Sequence, residues 1–124
     1  MAKIISSPAA PAAIGPYSQA VVTGGLVFTS GQIGLVPQTG ELAGDTLTAQ
    51  AEQAMKNLGA VLAEAGSSYE KAVKTTCYLA DMADFAAFNE VYARYFVGKP
   101  ARSCFAVKDL PKGALCEVEV VAEL

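Results

Sequence analysis

Polar and apolar residues alternate over two short stretches, near 17–22 and 26–33, and the second is rich in β-branched and aromatic side chains. Both read as strands, with Gly24-Gly25 as the turn between them. Before them, Ser7 to Ala13 is rich in Pro and Ala and reads as an extended arm. After them, Pro37 to Gly44 carries Pro, Gly and polar residues and reads as a loop. The period then changes. Leu47, Ala51, Ala54, Leu58, Val61 and Ala65 recur at helical spacing and predict a helix over 46–65, with Asp45 or Thr46 as its N-cap and Gly66 as its stop. Residues 71–80 return to a period of two, with Val73, Thr75, Cys77 and Leu79 on one face. A second helix over 82–96 starts from the N-cap Asp81. It carries an apolar stripe of Phe85, Phe88, Tyr92, Tyr95 and Phe96, and Gly98 and Pro100 end it. Two last strands, near 101–107 and 115–123, flank a turn from Lys108 to Gly113.

The order is therefore ββαβαββ, an α+β chain with two helices packed on one face of a mixed sheet. The opposite face needs a cover. Composition points the same way. Apolar residues make up 52% of the 124, and charged residues 17%, against about 25% in ordinary domains. One domain over residues 1–124 has too little interior to hide that excess, so an oligomer is expected. The formal charge of −3 argues against a nucleic-acid partner or a polybasic membrane anchor. The opening MAKIISSPAA lacks the apolar run of a secretory signal, and no stretch approaches the ~20 residues of a membrane span. Three cysteines, Cys77, Cys104 and Cys116, stand far apart in sequence, make no CxxC, and read as reduced thiols in the cytoplasm.

Histidine is absent. That removes His-based triads, a His general base and any His-containing metal site, so acid–base chemistry falls to Glu, Asp, Lys, Tyr or Cys. Arg102 shares a strand face with Cys104 and Ala106 among small or apolar neighbours. Its charge cannot be shed, so it is either a solvated edge residue or the partner of an anion. Glu117 shares a face with Leu115 and Glu119. It is either an ordinary outer-face carboxylate or, if the last two strands pair as a hairpin, a neighbour of Arg102. Cys104 reads as an inert thiol lining a pocket, since no His stands ready to make it a nucleophile. Cys77 and Cys116 read as core. Tyr17 follows Gly15-Pro16 at a loop-to-strand junction and could simply pack. Ser30 and Gly31 lie in FTSGQIG, where the backbone can approach a ligand closely, though no phosphate-loop pattern follows. Asn89 among the aromatics of the second helix either bonds a strand or lies at the surface.

Longer motifs narrow the choice. IGPYSQA at 14–20, FTSGQIG at 28–34, KTTCYLADM at 74–82, FNEVYARYF at 88–96, PARSC at 100–104 and LPKGALCEVEVVA at 110–122 resemble the RidA/YjgF family, the reactive intermediate deaminases or L-PSP endoribonucleases. The match runs in order over nearly the whole chain, and PARS is followed by the strand Glu fifteen residues after its Arg. The resemblance implies a chorismate-mutase-like fold and a homotrimer with clefts between subunits. It implies hydrolysis of 2-iminobutanoate and 2-iminopropanoate to 2-oxo acids and ammonia, with no metal, cofactor or covalent step. Arg102 stands at the family's carboxylate-gripping Arg, and Glu117 at the carboxylate that handles the attacking water. Tyr17, Ser30, Gly31, Asn89 and Cys104 fall on pocket positions, several of them facing the cleft from the adjacent subunit. The link Val97-Gly98-Lys99 looks shorter than in many relatives, and Cys77 and Cys116 replace aliphatics. Two other functions attach to such chains: a small-carboxylate-binding regulatory or chaperone-like trimer, and an endoribonuclease or translation inhibitor, which the negative charge and missing histidine disfavour.

Overall fold

The computed structural model describes residues 2–124. Its elements follow the predicted order with one strand added at the front: β1 (Lys3–Ile5), β2 (Ala20–Thr23), β3 (Leu26–Thr29), α1 (Leu47–Ala65), β4 (Ala72–Leu79), α2 (Phe85–Tyr95), β5 (Ala101–Ala106) and β6 (Cys116–Glu123). β1 is too short for periodicity to reveal, and exists by pairing Lys3–Ile5 antiparallel against Val22–Ala20. The first predicted hairpin forms, but its strands are shorter than expected. β2 begins only at Ala20 and β3 ends at Thr29, after which the chain leaves the ladder except for a bridge between Gln32 and Val118.

Thr46 caps α1, its Oγ1 accepting the Ala49 amide at 3.2 Å, so the choice between Asp45 and Thr46 falls to the latter. Gly66 ends the helix at φ 85°, the left-handed conformation that a side chain would strain. Asp81 caps the 3₁₀ turn that leads into the second helix, with Oδ1 accepting the Ala83 amide at 2.9 Å, and not the α-helix itself. A 3₁₀ turn over Met82–Asp84 precedes α2, so the α-helix proper is shorter than 82–96.

The sheet runs β1-β2-β3-β6-β4-β5, antiparallel throughout except for the parallel pair β4–β5. β6, last in sequence, is central. Cys116, Val118, Val120 and Ala122 alternate inward from it, all buried beneath the helices with Leu58, Leu62, Phe88 and Val91. This placement corrects one expectation: β5 and β6 do not form a hairpin, because β4 lies between them. A second correction concerns Val73. The β4–β6 register shifts between Ala72 and Lys74, and Val73 turns outward to 41% exposure instead of joining Thr75, Cys77 and Leu79 in the core.

Both helices cover one face, as expected. The other face bears Phe28 at 42% and Phe105 at 45% exposure, with Tyr78 packed edge-on against Phe105, 5.4 Å between ring centroids. Two buried amides of α1 draw the 30–45 segment onto the helix. Asn57 Nδ2 donates to the carbonyls of Ile33 at 3.1 Å and Leu35 at 2.8 Å, and Gln50 donates to Gly44 at 2.8 Å while accepting the Leu115 amide at 2.8 Å. The N-terminal arm is fixed likewise. Buried Gln19 donates to the carbonyls of Ser7 at 3.2 Å and Pro11 at 2.8 Å and accepts the Ser7 amide. Among the described residues no helix is long and apolar enough to cross a membrane.

Candidate active site

Register decides where each candidate points. Arg102 pairs with Thr75 and Cys104 with Cys77, so both lie on the helix-covered face of β5, the edge strand. Glu117 pairs with Tyr78 and lies on the open face of β6. The two charged candidates therefore stand on opposite faces of one chain's sheet and do not meet within it.

The Arg102 side is built by α2. Phe85, Asn89 and Tyr92 lie at helical spacing on its inner surface. Arg102 Nη1 donates to Asn89 Oδ1 at 2.7 Å, and the guanidinium carbon sits 4.7 Å from the Tyr92 ring centre and 5.5 Å from that of Phe85. Tyr92 is itself fixed by a buried 2.7 Å hydrogen bond with Thr75. Among the described residues no carboxylate comes within ion-pair distance of Arg102. A groove of about 340 Å³ opens beside it, bounded by Val97, Lys99 and Pro100. Cys104 is half-buried, and burial pushes its thiol up, partly offset by Arg102. That supports an inert pocket thiol. Cys77 and Cys116 are buried, with burial pushing each to about 12. Far apart in sequence, the three thiols share one face of three neighbouring strands.

The Glu117 side gathers the other candidates. Tyr17, Ser30, Gly31 and Glu117 line one cleft of about 290 Å³ with Pro111. Ser30 is held there by its amide to the Gln19 carbonyl at 2.9 Å and by its hydroxyl, which donates to the Ser18 carbonyl at 2.6 Å. The Glu117 carboxylate lies against the bare backbone of Gly31. Burial first, and the neighbouring Glu119 second, raise the Glu117 carboxyl above its ordinary value. Glu119 in turn accepts a hydrogen bond from the Tyr78 hydroxyl, which with burial pushes that phenol up to about 12.

Sequence reasoning placed Tyr92 in the apolar stripe and missed its stacking on Arg102. The signal was its three-residue offset from Asn89. Glu119 was read only as a strand neighbour of Glu117. Among the described residues no group of three or more His, Cys, Asp or Glu is placed to hold a metal ion.

Fold and site together define a class: a small α+β chain carrying an Arg pocket on one face of its sheet and a Glu cleft on the other. Comparison with known proteins gives that class a family. The model of the family described as Endoribonuclease L-PSP matches residues 7–124. A mouse protein named 2-iminobutanoate/2-iminopropanoate deaminase is 49% identical over 97% of this chain and 90% of its own. The Arabidopsis thaliana protein Reactive Intermediate Deaminase A, chloroplastic, is 47% identical over 98% of this chain and 66% of its own. A crystal structure of an L-PSP protein from Entamoeba histolytica superposes with a TM-score of 0.97 at 55% identity, covering 100% of both chains. The chain belongs to this family, the RidA/YjgF family its motifs resemble.

Proposed function

We propose that this chain hydrolyses 2-iminobutanoate and 2-iminopropanoate to the 2-oxo acids and ammonia. The observation that carries the reading is Arg102. It is a half-buried guanidinium, oriented by Asn89 and two rings, with no carboxylate among the described residues within ion-pair distance. Such a group suits bidentate capture of a small carboxylate. The deaminase names of the mouse and Arabidopsis relatives support the choice of substrate.

The imine carbon is already electrophilic, more so with its nitrogen protonated. Arg102 holds the carboxylate. Glu117, its carboxyl raised toward the working pH by burial, accepts a proton from water as the oxygen bonds to C2. Glu117 passes that proton to the nitrogen of the carbinolamine, the C–N bond breaks with its electron pair leaving on ammonia, and the hydroxyl oxygen returns its own proton to the Glu117 carboxylate as it becomes the carbonyl of the 2-oxo acid. No metal, cofactor or covalent enzyme intermediate is called on.

Opposite faces of one sheet cannot serve one substrate. The reading therefore includes a homotrimer, in which the Tyr17–Ser30–Gly31–Glu117 half of one subunit faces the Asn89–Arg102–Cys104 half of the next. The half-exposed Phe28 and Phe105 of the open face supply apolar surface for such packing. We place the protein in the cytoplasm, a reducing setting that suits three unpaired thiols.

The test is a coupled assay in which a threonine dehydratase makes 2-iminobutanoate in situ. The wild type speeds its disappearance, and Arg102→Ala lowers kcat/KM by about 100-fold or more, as removal of a charged anchor at a reacting centre does. An Arg102→Ala enzyme as fast as wild type would sink the clamp. Saturable binding of 2-oxobutanoate with no rate enhancement would instead favour a carboxylate-binding regulator.

A further inference from the structure

We propose that the apolar pocket beside Glu117 receives the hydrocarbon side chain of the 2-imino acid, and that the N-terminal arm, as one of its walls, sets which chain lengths are accepted. This inference rests on the deaminase reading. The pocket holds about 90 Å³ and is walled by Pro11 and Ala12 from the arm, by Ile14 just after it, and by Ile33 and Leu35 from the segment after β3. It shares Tyr17, Gly31 and Glu117 with the reaction cleft, so the two are continuous at the carboxylate.

Three substituents surround the reacting carbon. The carboxylate goes to Arg102 in the facing half-site, and the nitrogen lies in the plane that water attacks from the Glu117 side. The remaining substituent, the alkyl chain, needs space beside Glu117, and the cavity is that space. Its chemistry fits hydrocarbon rather than a second charge. The Gln19 amide is committed to the arm, Lys112 Nζ is turned to the Gly40 carbonyl at 3.3 Å so that the lysine offers its stem methylenes, and the remaining amide, Gln32, carries no charge. At about 90 Å³ the space exceeds what one water-sized group needs, so a propyl chain fills it better than the methyl of 2-iminopropanoate. The arm is a fixed wall, because buried Gln19 ties down Ser7 and Pro11.

The experiment measures kcat/KM for a series of 2-imino acids bearing methyl, ethyl and propyl chains, made in situ by an amino-acid oxidase from alanine, 2-aminobutanoate and norvaline. In the wild type, kcat/KM rises at least tenfold from methyl to propyl, since each methylene seated in an apolar pocket is worth roughly 10-fold or more. Ala12→Phe narrows the cavity from an exposed position that folding does not depend on, and Leu35→Phe narrows it from the opposite wall. Each lowers the propyl-to-methyl ratio at least tenfold. A wild-type profile that is flat or falls with length overturns the inference, as does a ratio that neither variant moves. If the wild type hydrolyses no member of the series, the deaminase reading fails and calorimetry decides on the cavity separately. Binding of 2-oxopentanoate at least tenfold tighter than pyruvate, lost in Ala12→Phe, supports it, and equal affinities overturn it.

Discussion

At the residue scale, Glu117 owes its place to an atom that is missing. A Cβ on Gly31 would fall 2.7 Å from the Glu117 carboxyl carbon, so any side chain there displaces the carboxylate. Gly31→Ala is expected to lower kcat/KM by about 100-fold, the cost of moving a reacting group by roughly 1 Å, with little change in affinity for 2-oxobutanoate on Arg102. Steady-state kinetics and calorimetry on one preparation separate the two. The same carboxyl gives a pH signature. Burial and then Glu119 raise it, so the acid limb of kcat/KM lies above the ordinary glutamate value, and Glu119→Gln moves that limb toward lower pH. The sign for stability is opposite to that for activity. A carboxyl whose folded value is raised favours folding when protonated, and that contribution is lost as pH rises through the folded value. Glu117→Gln should therefore be inactive yet melt a few degrees higher than wild type at pH 7, with the difference closing in acid, as scanning calorimetry at both pH values would show. Arg102 and Glu117 were legible as charges on period-two strands, and the family motifs gave them roles. Tyr92 and Glu119 were not, because an aromatic in a stripe and a second acid on a strand look the same whether they serve a site or not.

At the element scale, α1 does more than cover the sheet. Asn57, on its buried side, satisfies the carbonyls of Ile33 and Leu35 and accepts the Gln53 amide at 2.9 Å. Those carbonyls belong to the segment that carries Gly31 away from β3 and walls the cavity beside Glu117. Asn57→Leu fits the volume but strands two buried acceptors, each worth about 1–3 kcal/mol. Urea unfolding should show a loss of about 2–5 kcal/mol with an unchanged m-value. A loss well under 1 kcal/mol would mean that water replaces the amide. Both helices were legible because their stripes, caps and stops agree with one another. The order of strands was not. Periodicity says which face a residue takes and nothing about its neighbours across the ladder, so the chain's last strand, β6, could not be seen to enter between β3 and β4 and part β5 from it. β1 was invisible because three residues carry no period.

At the scale of the whole molecule, the sheet divides the site. Arg102, Asn89 and Cys104 stand toward the helices and Tyr17, Ser30, Gly31 and Glu117 toward the open face, so a single chain carries both half-sites and does not bring them together. The homotrimer proposed above would cover the half-exposed phenylalanines of the open face and give the 52% apolar composition a use. If each cleft joins the Arg102 half of one subunit to the Glu117 half of the next, two dead variants can rescue each other. Arg102→Ala keeps an intact Glu117 half, and Glu117→Gln keeps an intact Arg102 half. In trimers reassembled from equal amounts, a cleft is whole when its Arg comes from the second variant and its Glu from the first, so about one quarter of wild-type activity should return. Clefts built within single chains would return none. Phe105→Glu places a charge on the open face that an isolated subunit tolerates and a packed interface does not. It should reduce the mass seen by light scattering and remove activity together, while far-ultraviolet circular dichroism stays that of the wild type.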